Sequence, residues 1–144
     1  MHIKSLFFLL LSFFATCLQA AELGQVSAEE LQAMQTHDHA LVVDIRTEEE
    51  WKATGIIPES QKLQSFNKDG SFDATKWIAD LQKLKTSADQ HVILVCRSGN
   101  RSSKVGRLLI EQGIPNVYHL SNGIQSWINT GHPVDTDIST TNNR

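Results

Sequence analysis

Cysteine is scarce in this chain: 144 residues hold two, Cys17 and Cys96. Two thiols exclude the disulfide framework that staples many small exported domains. An excess of positive charge is missing too. Thirteen Lys and Arg face 16 Asp and Glu, for a net charge of −3, which excludes nucleic acid and an anionic membrane surface as partners. No apolar run approaches the ~20 residues that cross a bilayer. The longest, residues 6–15, is already broken by Ser12. No internal repeat is present, and only the C-terminal residues are low in complexity.

The short apolar run has a meaning of its own. It follows the positive start Met1-His2-Ile3-Lys4 and precedes the small residues of Gln19-Ala20-Ala21, the pattern of a secretory signal peptide. Residues 1–20 are therefore expected to be a leader, cleaved after Ala20 or Ala21. Cys17 follows Phe14-Ala15-Thr16, a poor match to a lipoprotein box. Export points to a periplasmic compartment. Cleavage removes Lys4 and no acid, leaving about 124 residues with 12 cations against 16 carboxylates, net −4. That length suits one domain, residues 21–134, followed by a polar, flexible tail at 135–144. Nothing suggests a large exposed apolar face, so a monomer is expected.

Cleavage also leaves Cys96 as the only thiol, with no internal partner. Its setting decides whether it is inert or reactive. His91-Val92-Ile93-Leu94-Val95 reads as a strand buried on both faces, and a helical pattern opens shortly after Cys96. The thiol thus sits where a strand ends and a helix begins, the edge of an α/β sheet that usually holds the ligand. The run Cys96-Arg97-Ser98-Gly99-Asn100-Arg101-Ser102 supplies backbone N–H groups, a helix N-terminus and two guanidinium groups. All favour a thiolate and an anion beside it. Gly99 permits a backbone conformation closed to most residues, and Asn100 is the next most tolerant type. Arg97 is expected to face an anionic substrate. Arg101 either contacts it or braces the loop through an acidic neighbour. Ser98 and Ser102 also suit turn and N-cap roles, and a cap is the expectation for Ser102.

The rest of the chain alternates helix and strand. Ser27-Ala28-Glu29-Glu30 is a capping box for a first helix, and residues 41–45 form a buried strand. Thr47 opens a short acidic helix that Gly55 ends, and Lys62-Leu63 reads as a short strand. Trp77, Ile78, Leu81 and Leu84 mark an amphipathic helix. A further helix over 102–112 ends at Gly113, residues 117–120 form a last strand, and residues 123–129 a last helix. Strands apolar on both faces predict an α/β fold: a doubly wound, mostly parallel sheet of about five strands with helices on both faces. Asp44 and Arg46 stand at another strand end, where a structural ion pair holding the next helix is favoured over support of the pocket. Trp51, Trp77 and Trp127 fall on helical faces and read as core. His37 and His39 flank Asp38 without a cysteine partner and read as solvated. His119, with no identifiable partner, reads as structural. No cofactor or metal is expected.

Three stretches together resemble a single rhodanese domain of the secreted, phage-shock protein E-like kind. They are Val42-Val43-Asp44-Ile45-Arg46-Thr47 followed by Glu49-Glu50-Trp51, the loop 96–102, and Asn122-Gly123-Ile124-Gln125-Ser126-Trp127 followed by Gly131-His132-Pro133. Two departures stand out. Gly55-Ile56-Ile57-Pro58-Glu59-Ser60 replaces the family's frequent Gly-His-Ile-Pro-Gly-Ala, and Asn122 replaces the first of two glycines. The resemblance implies thiosulfate sulfurtransferase chemistry. Cys96 would be the nucleophile that carries a persulfide, and Arg97, Ser98, Gly99, Asn100, Arg101 and Ser102 would bind the substrate. A small anionic sulfur donor and a thiophilic acceptor, such as cyanide, a thiol or a protein thiol, are the implied partners. A persulfide carrier serving one protein is an alternative. A cysteine phosphatase or arsenate reductase is another, but those enzymes place five residues between Cys and Arg, and this chain places four between Cys96 and Arg101.

Overall fold

A computed structural model describes residues 20–137; the expected leader through residue 19 and residues 138–144 lie outside the described residues. Ten elements alternate along the chain. They are β1 (Gly24–Val26), α1 (Ala28–His37), β2 (Leu41–Asp44), α2 (Glu48–Thr54), β3 (Gln61–Lys62), α3 (Ala74–Leu84), β4 (Val92–Val95), α4 (Asn100–Glu111), β5 (Val117–Leu120) and α5 (Gly123–Asn129). The five strands form one parallel sheet in the order β1-β5-β4-β2-β3.

Residue type explains the centre of this order. β4 is Val-Ile-Leu-Val, and all four side chains are buried. A strand with no polar face needs a strand on each side and a helical layer on each face. Val92 and Leu94 point into a core shared with Trp77 and Leu81 of α3 and Val105 and Leu109 of α4. Ile93 and Val95 point the other way, onto Leu31 of α1 and Ile124 and Trp127 of α5. Cys96 continues the alternation and falls on the α3–α4 side. The doubly wound expectation is met.

Local chemistry sets the helix starts. Ser27 caps α1 and Glu30 bonds back to it, and Thr47 and Glu50 repeat the same box on α2. α4 differs. Its N-cap is Gly99 in the left-handed conformation, with no side-chain cap bond, so the helix begins two residues before the expected start. Ser102 is therefore its third residue and not its cap, and Asn100 is its first helical residue.

Two further expectations are corrected, for Trp51 and Asp135, and two features are added. Strand β1 carried no sequence signal, because three residues of Gly-Gln-Val are too few for a period. Its backbone finds β5 as an edge neighbour. Trp51 is not core: it is half-buried, with the Lys62 ammonium 5.8 Å from its ring centroid. Asp135, read as the start of the tail, exchanges backbone hydrogen bonds of 3.0 and 2.8 Å with Ile56. Glu59 and Asn122, which stand where glycines are frequent, both take positive φ, 63° and 57°. The departures thus keep the backbone that glycine favours, at a cost of about 1 kcal/mol for a side chain such as Glu.

The C-terminal end of β2 is closed by a buried ion pair. Asp44 and Arg46 are each 1% exposed, and the guanidinium reaches the carboxylate at 2.7 Å. Arg46 also donates to Thr54 Oγ1 at 2.7 Å and to the Gly55 carbonyl at 2.8 Å. It thereby ties the strand end to the far end of α2, the structural role favoured from sequence. Asp44→Ala leaves that guanidinium buried and uncompensated. A loss of about 3–5 kcal/mol is expected, seen as a lower urea midpoint at unchanged slope.

Candidate active site

Cys96 lies one residue past β4, beside the end of β2, where Val95 is in register with Asp44. Cys96 is 1% exposed, and it joins the core on the α3–α4 side. The Gly99 N–H donates to Sγ at 3.1 Å and the Ser102 N–H at 3.4 Å. The loop can curl this tightly around the sulfur because Gly99 has φ of 97°, a region costly for other residues. The N–H groups of Asn100 and Arg101, at the first two positions of α4, have no acceptor within the helix.

The other wall of the loop is backbone. Ile124 N–H donates to the Cys96 carbonyl at 2.8 Å, and Gln125 N–H to the Arg97 carbonyl at 3.3 Å. α5 therefore starts directly on the cysteine loop. A Cβ on Gly123 would lie 2.4 Å from the Cys96 oxygen and 2.4 Å from the Arg97 carbonyl carbon, so only glycine fits. Trp127, one turn along, is buried, stacks on His132 at 4.4 Å and donates to the Pro133 carbonyl at 2.7 Å. The separated pieces of the C-terminal signature thus form one support beneath the loop.

The two arginines do different things. Arg97 is exposed. Arg101 is held: its two terminal nitrogens reach Glu50 Oε2 at 2.8 Å and Oε1 at 2.6 Å. Of the two readings of Arg101, the brace is the one these bonds display. Burial would raise the Glu50 carboxyl, but hydrogen bonds from Arg101 and the Thr47 N–H, with the charges of Arg101 and Arg46, hold it below its usual range. The same bond to Glu50 raises Arg101. Glu50 thus closes the cap of α2 and clamps the start of α4. Ser98 and Asn100 are exposed, Gly99 is buried, and Ser102 is fully buried.

Sequence reasoning missed one neighbour. Ser102 Oγ lies 3.3 Å from Cys96 Sγ and 3.4 Å from His119 Nδ1, so His119 has a partner after all. The one available signal was its place on the strand that ends beside the loop. Burial, and then the charge of Arg107, lower the His119 pKa.

Glu50→Gln isolates the clamp, because glutamine still completes the capping box. The pair is 28% and 27% exposed, so a loss of about 1–2 kcal/mol is expected at pH 7, between surface and buried pairs. The folded carboxyl is depressed, so its contribution is full above the unfolded pKa of about 4.3 and fades as pH falls through the folded value. Urea midpoints of wild type and variant should differ at pH 7 and converge in acid.

Comparison with known proteins gives a consistent result. The rhodanese-like domain model matches residues 27–130. A protein named sulfurtransferase from Allochromatium vinosum is 30% identical over 112 residues, 77% of this chain and 94% of the relative. The thiosulfate sulfurtransferase GlpE of Pseudomonas fluorescens strain Pf-5 is 31% identical over 116 residues, 81% of this chain and 94% of the relative. Among solved structures, thiosulfate sulfurtransferase from Pseudomonas aeruginosa superposes with a TM-score of 0.64 at 24% identity, covering 78% of this chain and 20% of that one. Rv0390 from M. tuberculosis gives 0.64 at 23%, covering 81% and 99%. At such identities the two structures speak for the fold alone.

Proposed function

Because the chain belongs to the rhodanese-like domain family, we propose that it moves sulfane sulfur from thiosulfate, or a similar anionic donor, through a persulfide on Cys96 to a thiophilic acceptor such as cyanide or a thiol. Relatives named as sulfurtransferases support sulfur transfer as the reaction class. The observation that carries the reading is the buried Cys96, whose sulfur accepts from the Gly99 and Ser102 N–H groups in a loop with four residues between Cys96 and Arg101.

In the first half-reaction the Cys96 thiolate attacks the outer sulfur of thiosulfate. A new S–S bond forms, the S–S bond of the donor breaks, and sulfite leaves with the electron pair. In the second, the acceptor attacks the outer persulfide sulfur and the Cys96 thiolate leaves. Neither half needs a metal or a redox cofactor, and ping-pong kinetics follow. The N–H groups over residues 98–102 stabilise the sulfur anions. Arg97, exposed at the loop, draws the anionic donor. Arg101 shapes the loop through Glu50. That engagement also weighs against a phosphatase, whose arginine must be free to fork onto a phosphoryl group.

Brief treatment with thiosulfate should add one sulfur atom to the intact mass of the protein and none to Cys96→Ser. A wild-type protein that gains no sulfur overturns the mechanism.

The leader pattern supports export to the periplasm. Protein recovered from that compartment should begin at Ala21 or Glu22 by N-terminal sequencing, and retention of Met1 in the mature protein contradicts export. Among the described residues, Ile128 is the one exposed large hydrophobic side chain, at 39%. This supports a monomer as the working unit.

A further inference from the structure

Ser102 is fully buried, so no solvent competes for its hydroxyl. Three groups do: Cys96 Sγ at 3.3 Å, which donates to Oγ as a thiol and can only accept as a thiolate, His119 Nδ1 at 3.4 Å, and the Gly99 carbonyl oxygen, which accepts from Oγ at 3.2 Å. A hydroxyl has one proton and two lone pairs. Which group receives that proton decides whether the sulfur meets a donor or a lone pair. A carbonyl can only accept, so the choice belongs to His119.

We propose that His119 is a positioning residue: its Nδ1–H donates to Ser102 Oγ and turns the hydroxyl proton onto the Cys96 sulfur. This deepens the sulfur-transfer reading and rests on Cys96 being its nucleophile. With Nδ1 as donor, the Ser102 proton has two acceptors left, the sulfur and the Gly99 carbonyl. A thiolate, being charged, is the stronger. The chain Nδ1–H to Oγ–H to Sγ then adds a third donor to the two backbone N–H groups from Gly99 and Ser102. Hydrogen bonds to a charged form favour that form. With Nδ1 as acceptor, the proton is drawn away and a lone pair faces the sulfur.

The surroundings of His119 favour this arrangement. On β5, Val117 and His119 share the face that packs on α4, while Tyr118 and Leu120 face the other core. In-register neighbours are Gln25 on β1 and Leu94 on β4, neither of which titrates. The Gln25 amide is occupied, donating to Ser121 Oγ at 2.7 Å. From α4 come Ser102 and the cation Arg107, and from the loop comes Cys96 itself. No carboxylate of these elements faces the ring to pair with an imidazolium, in keeping with a neutral ring that donates from one nitrogen. The ring is half-exposed, so Nε2 is left to solvent.

The test reads the thiolate directly, independently of any sulfur donor. The rate of Cys96 alkylation by iodoacetamide is followed by intact mass against pH for the wild-type protein, His119→Leu, His119→Asn, Ser102→Ala and the Ser102→Ala/His119→Leu double variant. Without Nδ1–H bonded to Oγ, the Ser102 hydroxyl is less polarised and free to turn to the Gly99 carbonyl, so the alkylation midpoint of His119→Leu should move upward by about half a pH unit, roughly a threefold loss of thiolate below it. His119→Asn, whose amide can donate in place of Nδ1–H, should stay close to wild type. Ser102→Ala, which loses the hydroxyl donor itself, should shift by about one pH unit, at least as far as His119→Leu, and the double variant no further than Ser102→Ala. An unmoved midpoint in His119→Leu overturns the proposal, and so does a further shift in the double variant, which would show that His119 does not act through Ser102. Should leucine disturb the fold, His119→Ala gives the same reading. If the midpoints shift as expected while thiosulfate adds no sulfur, the positioning role stands and the donor assignment falls.

Discussion

Everything at the site depends on one close approach: the start of α5 lies against the backbone of Cys96 and Arg97 with no side chain between them. Ile124 and Gln125 donate to the two loop carbonyls, and Gly123 leaves the space that this requires. Those bonds anchor the start of the loop on α5. The amides of Gly99 and Ser102 are then free to turn inward. The site is thus built largely of backbone dipoles, which on the proposed mechanism need no reorganisation as charge moves from thiolate to persulfide.

Charged side chains set the outer frame. Asp44 and Arg46 lock the end of β2 to the far end of α2, and Glu50 joins the front of α2 to α4 through Arg101. One short helix therefore transmits position from strand to loop at both of its ends. The arrangement also divides the work of the two loop arginines. The one bound to a carboxylate fixes shape, and the exposed one gives the mouth of the loop its charge.

The sequence was most legible where a single local interaction decides the outcome. The Val92–Val95 run, the Ser27 capping box and the glycine after α4 each act within a few residues, and all lie where their patterns predicted. Legibility failed where a partner comes from afar. Strand β1 exists only because β5 offers it an edge. Trp51 has helical spacing, but α2 lies at the rim of the core and leaves it half-buried. α4 starts at Asn100 because the bonds around Cys96 replace a side-chain cap, which no local cap rule anticipates.

The same boundary runs through the function. Residue order alone determined that a thiol ends a buried strand and meets a helix start, that two guanidinium groups flank it, and that four residues separate Cys96 from Arg101. Those are properties of neighbours in the chain, fixed by covalent spacing and by the backbone preferences of glycine. Only the tertiary structure decided that Arg101 belongs to Glu50 and that Ser102 joins Cys96 to His119. Those partners stand 51 and 17 residues away. A hydrogen bond acts over about 3 Å, and contacts that short between distant residues exist only once the sheet has set β2, β4 and β5 side by side.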